Sequence, residues 1–110
     1  MSQPRLFALY TARFPFLESQ QDKIRPVVVI SKPYGEHNVI AVIPVSSKTK
    51  QEKLDVVLGQ WENEGLLRPS VARVYRLTTM LQSDLLSELG SLGQKDIATL
   101  QKSLRIFLSL

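Results

Sequence analysis

Hydrophobic and polar residues alternate from Leu6 to Phe14, with Leu6, Ala8, Tyr10, Ala12 and Phe14 facing one way and Phe7, Leu9, Thr11 and Arg13 the other. A period of two predicts a half-buried strand. The polar stretch Glu18-Ser19-Gln20-Gln21-Asp22-Lys23 has no period and reads as a surface loop that ends at Arg25-Pro26. Pro26 fixes its own φ and biases Arg25 towards extended geometry, which predicts Arg25 at the mouth of the next strand. That strand, Val27-Val28-Val29-Ile30, is a run of β-branched residues suited to burial on both faces. Lys32-Pro33-Tyr34-Gly35 supplies turn chemistry, and Val39-Ile40-Ala41-Val42-Ile43 is the expected hairpin partner. Pro44 cannot donate to a ladder and is expected to mark a strand end or an unpaired edge.

Beyond a polar, basic loop at residues 46–50, Leu54, Val56 and Leu58 share one side of a short predicted strand. Residues 70–77 alternate again, with Val71, Arg73, Tyr75 and Leu77 on one face. The segment from Thr79 to Gly90 reads as a turn followed by a strand. The clearest element is last: Gly93 as N-cap, Asp96 in the first turn, Leu92 and Ile97 as a staple, then Ile97, Leu100, Leu104 and Phe107 at spacings of three and four. Short strands with Gly, Pro and Ser turns and one terminal helix predict a mainly β, α+β fold, either a small closed barrel or a strongly curved sheet with a helical plug.

The 110 residues suit a single domain at 1–110, large enough to fold without staples. Cysteine is absent, which removes disulfides, thiolate nucleophiles and Cys-based zinc sites and fits a cytoplasmic protein. No secretory signal or bilayer-length apolar run is evident, so no membrane partner is expected. A net charge of +4 modestly favours an anionic partner.

The chain has a single histidine, His37, and no HExxH, Walker, GxGxxG or GxSxG pattern. His37 falls in the hairpin turn and is assigned no catalytic role. What remains is a polar set at strand ends: Arg25, Ser46, Ser47, Lys48 and Arg73. If the strands ending at Arg25 and Ser46 pair, a guanidinium and hydroxyls meet on one rim. A guanidinium fork matches two phosphate oxygens, and a hydroxyl can donate to the charge that grows on them in the transition state. RNA brings its own nucleophile, the 2′-hydroxyl, so neither metal nor cofactor is required.

Five blocks resemble the PemK/MazF/Kid group of type II toxin–antitoxin toxins. They are Phe14-Pro15-Phe16, Lys23 to Ser31, Ile43-Pro44-Val45-Ser46-Ser47, Gly65 to Arg73, and Leu89-Gly90-Ser91-Leu92. The resemblance covers residues 6–110 and implies an SH3-like β-barrel with a C-terminal α-helix and a homodimer. It also implies an mRNA interferase, an endoribonuclease that cuts single-stranded RNA at specific sequences to leave 2′,3′-cyclic phosphate and 5′-hydroxyl ends, held in check by a cognate antitoxin. By position, Arg25 matches the arginine of the family's Arg-Pro pair and Ser46 its catalytic Thr or Ser. Arg73 matches a second arginine of the Kid branch that acts in cleavage. Gln20, Ser47, Lys48, Val71 and Tyr75 fall at RNA-contacting positions. Gln20 and Tyr75 also stand where relatives carry carboxylates, so neither can be the base, and Glu18 is the candidate substitute. Two other functions fit less well: a barrel that binds RNA or an antitoxin peptide without cutting, and a DNA-directed inhibitor.

Overall fold

The computed structural model describes residues 3–14, 23–48 and 50–110. The predicted hairpin forms between β2 (Lys23–Val29) and β3 (Val39–Ser46), while β1 (Ala8–Phe14) lies antiparallel on the other side of β2. At the hairpin tip Asn38 donates to the Gly35 carbonyl, and Gly35 takes a φ of +78° that a side chain would resist. Val27, Val28 and Val29 are fully buried, as their β-branched run predicts. Val28 enters one apolar cluster with Leu9, Ile43 and Leu100, whereas Val27 and Val29 enter another with Ala12, Phe14, Val42 and Met80. The sheet therefore has packed side chains on both faces.

The remaining strands are β4 (Val56–Val57), β5 (Val71–Ala72), β6 (Thr78–Leu81) and β7 (Leu85–Ser91). Their order is β4-β5-β3-β2-β1-β7, with β6 paired to β3. Among the described residues β4 and β7 do not pair, so the sheet is open and the barrel is not closed. Helix α1 (Gln94–Leu108) seals the Leu9–Val28 face, with Gly93 as N-cap and Leu100 fully buried. Ile97 and Leu104 pack beside Leu100, but Phe107 is 39% exposed, because the helix runs past the edge of the core by its last turns.

Three expectations change. Pro44 lies inside β3, opposite Val27. It is tolerated there because β3 exchanges one neighbour for another at that point, pairing with β6 through Val42 and with β5 from Val45 onwards. The strand at residues 70–77 shrinks to Val71–Ala72, after which Val74–Arg76 form a single 3-10 turn. The alternation there is a by-product of a buried arginine, described below. Leu54 has a φ of +71° and belongs to a turn, leaving Val56 and Leu58 as the buried pair.

Glu64 sits at the base of α1 with 1% exposure and accepts the Gly93 N–H at 2.8 Å. Burial first, and the neighbouring Asp96 carboxyl second, push its pKa up to about 7. Glu64 Oε1 and Asp96 Oδ2 are buried without a donor among the described residues, a need that one shared proton meets. A folded-state pKa above the unfolded value of about 4.5 contributes stability below that value, lost as pH rises through 7. Thermal stability should therefore fall from pH 5 to pH 8, on the order of 1–3 kcal/mol. Glu64→Gln should flatten the decline in melting curves across this range; an unchanged slope would show that Glu64 stays ionised in the fold.

Candidate nucleic-acid interface

The sheet face opposite α1 changes character along its length. Its apolar part, Val27, Val29 and Val42, gives way at the ends of β2 and β3 to Lys23, Arg25 and Ser46. Arg25 stands opposite Ala12 of β1. In the β2–β3 ladder Val29 faces Val42, Val28 faces Ile43 and Val27 faces Pro44. The ladder ends at that pair: two residues further along β3, Ser46 pairs with Val71 of β5, while Arg25 precedes Val27 by two on β2. Both face a groove of about 760 Å³ that Lys48, Lys50, Glu52, Arg73, Tyr75 and Arg76 also line. Arg25 is exposed, and no carboxylate among the described residues pairs with it or with Lys23, Lys48 or Lys50. Cations gathered around a concave floor attract an anion.

The Ser46 side chain is oriented by its neighbours. Its Oγ accepts the backbone N–H of Lys48 at 3.1 Å, which leaves the hydroxyl proton free to be donated into the groove. Arg73 is placed differently from Arg25. It is 9% exposed, and its guanidinium donates to the Lys48 carbonyl at 2.7 Å, to the Lys50 carbonyl at 2.7 Å, and to the fully buried carboxylate of Asp55. Its backbone N–H donates to the Pro44 carbonyl at 2.9 Å. Much of the fork is thus spent inside the protein, and the Arg73 charge is already matched by Asp55.

Of the positions singled out in the sequence, Arg25, Ser46, Lys48, Arg73 and Tyr75 converge on the groove. Tyr75 comes from the 3-10 turn, is 37% exposed, and lies under the Arg76 guanidinium at 5.8 Å from its ring centroid. Ser47 is exposed but does not line the groove, and Val71 is 1% exposed inside the β3–β5–β4 ladder, out of reach of a ligand. Gln20 and Glu18 lie outside the described residues. Sequence reasoning missed Lys23, Lys50, Glu52, Asp55 and Arg76. For Lys50 a signal existed, since it alternates with Lys48 in a polar loop after β3. For Asp55 none did, because its partner is Arg73, far along the chain.

The sequence matches the family model for the PemK-like, MazF-like toxin of type II toxin–antitoxin systems over residues 5–108. No curated protein sequence matches it. Among solved structures, MazF from Deinococcus radiodurans is similar at a TM-score of 0.78 and 20% identity, with 100% of both chains covered. The Mycobacterium tuberculosis toxin MazF-mt6 is similar at 0.75 and 20% identity, covering 94% of this chain and 97% of its own. A mycobacterial endoribonuclease in complex with its cognate antitoxin is similar at 0.78 and 13% identity, covering 100% of this chain and 97% of its own. At these identities the structures establish a shared fold, and the family match spans nearly all of the sequence. With a basic groove opening from the ends of β2 and β3 on that fold, the chain belongs to the PemK-like, MazF-like toxins of type II toxin–antitoxin systems.

Proposed function

We propose that the chain is a metal-independent endoribonuclease that cuts single-stranded RNA by attack of the 2′-hydroxyl on the adjacent phosphorus. The observation that carries this reading is one groove lined by the exposed Arg25, by Ser46 and by Lys23, Lys48 and Lys50, none of these cations pairing with a carboxylate among the described residues. In the reaction the O2′–P bond forms and the P–O5′ bond breaks. The 2′-hydroxyl proton passes to a base, and O5′ takes up a proton as it leaves. Arg25 neutralises the non-bridging oxygens, and Ser46 donates to the charge that grows there. The products are a 2′,3′-cyclic phosphate and a 5′-hydroxyl.

Two carboxylates compete for the role of base: Glu52, which lines the groove, and Glu18, on the segment before β2. Glu52→Gln and Glu18→Gln are each to be measured across pH. The base is the residue whose loss removes the acidic limb of the rate profile.

A mycobacterial relative of this fold is seen with its cognate antitoxin, which supports an antitoxin as the protein partner here. We assign the chain to the cytoplasm, where such a partner and mRNA would meet it, and to a symmetric homodimer. Sedimentation at micromolar concentration checks the dimer, and a monomer there contradicts it.

The deciding experiment incubates the purified protein with a long single-stranded RNA and with DNA of the same sequence, in EDTA, and maps the ends. Cyclic-phosphate ends on RNA and intact DNA are expected, because DNA lacks the 2′-hydroxyl. Bound but uncut RNA would instead mark a binding module that no longer cleaves. Affinity should fall with salt, and Lys50→Ala should reduce the slope of log K against log salt by about 0.7, the loss of one single-strand phosphate contact. An unchanged slope would remove Lys50 from the interface.

A further inference from the structure

On the reading of the groove as an RNA-cleaving site, we propose that Asp55 is a positioning residue for the cleavage step. It acts through Arg73 and the backbone of Lys48 to hold the Ser46 hydroxyl. The Asp55 side chain is fully buried and the Arg73 side chain 11% exposed, far from the usual setting of a surface ion pair. A buried carboxylate persists only where a cation and donors compensate it. Asp55 Oδ2 has both, the Arg73 guanidinium and the Glu52 N–H at 2.7 Å, while Oδ1 is buried without a donor among the described residues.

The arrangement is directed at one residue. Arg73 donates to the Lys48 carbonyl, and the Lys48 N–H donates to Ser46 Oγ, so Lys48 is held at both of its backbone groups. Arg73 is itself tied through its backbone N–H to the carbonyl of Pro44, two residues before Ser46. The ring of contacts runs from Asp55 to Arg73, to Lys48, to Ser46 and back along β3 to Pro44. Its effect is to fix which lone pair of Ser46 is occupied and so where the hydroxyl proton points.

An arginine serves here and a lysine does not. The planar fork reaches two carbonyls and a carboxylate at once, whereas an ammonium is a single point. This assigns Arg73 a task other than direct contact with the reacting phosphate. Its charge is matched by Asp55, and its donors are engaged by the Lys48 and Lys50 carbonyls.

The test is a double-mutant cycle on RNA cleavage. Asp55→Asn keeps the shape and the acceptor for Glu52 but removes the charge that holds the guanidinium. It should lower kcat on the order of ten- to a hundredfold, with KM changed less than twofold. In a Ser46→Ala background, the same change should cost nothing further. Equal fractional losses in both backgrounds, a loss confined to KM, or no loss would overturn the proposal. Should Asp55→Asn fail to fold, Arg73→Lys takes its place in the same cycle, with the same outcomes.

If unmodified protein cuts no RNA, the nuclease reading itself fails, and the relay is judged by the Lys48 amide resonance. Asp55→Asn and Ser46→Ala should both displace it; an unmoved resonance in Asp55→Asn discards the relay.

Discussion

Arg25→Ala is expected to lower RNA cleavage about a hundred- to a thousandfold while leaving the melting temperature nearly unchanged. The loss corresponds to roughly 3–4 kcal/mol of transition-state stabilisation, the usual cost of removing one well-aimed donor. The fold should tolerate the change because Arg25 is exposed and pairs with no carboxylate among the described residues. Strand β2 keeps its backbone ladder to Ala12 and its buried valines. Arg25→Lys is the informative companion: it keeps the charge but loses the fork, and should recover binding more than rate. A folded Arg25→Ala protein that cleaves at full rate would remove the guanidinium from the chemistry.

Gly65→Ala should destabilise the fold by roughly 3 kcal/mol or more, well beyond the effect of Gly35→Ala. Gly65 has a φ of +91°, where a side chain costs on the order of 1–2 kcal/mol. A Cβ would also stand 2.1 Å from the Leu89 carbonyl oxygen, so backbone must shift against backbone. The same contact is reciprocated by Gly90, whose added Cβ would meet the Glu64 carbonyl oxygen at 2.4 Å. The loop bearing Glu64 thus lies directly on β7. Gly35→Ala is the control, with a φ of +78° but open space around it, and should cost only the conformational part, about 1 kcal/mol. If chemical denaturation gives equal losses for the two variants, the close approach of the 64–65 loop to β7 is wrong.

Much of the framework was legible because its causes are local. The valine run, the Gly35 turn and the Gly93 cap with its staple each act over a few residues, and each appears where the pattern puts it. Arg25 and Ser46 were expected on one rim if their strands pair; the strands do pair, and both residues line one groove. What escaped were contacts whose partners lie far apart in sequence. Arg73 looked like one member of an alternating strand, but its pairing with Asp55 buries it and turns the chain into the 3-10 turn that presents Tyr75. Asp55 escaped because Leu54 was read as part of a strand, whereas its positive φ places it in a turn. Strand β6 escaped because Thr78-Thr79-Met80-Leu81 gains its order from β3 and little from its own pattern.

Arg25 is two residues from Val27, and Ser46 directly follows Val45, both among the least accessible side chains in the molecule. The pair proposed to act on RNA is therefore anchored beside buried side chains of β2 and β3. On warming, turnover should climb smoothly to the melting transition and vanish with it, with no earlier inactivation step.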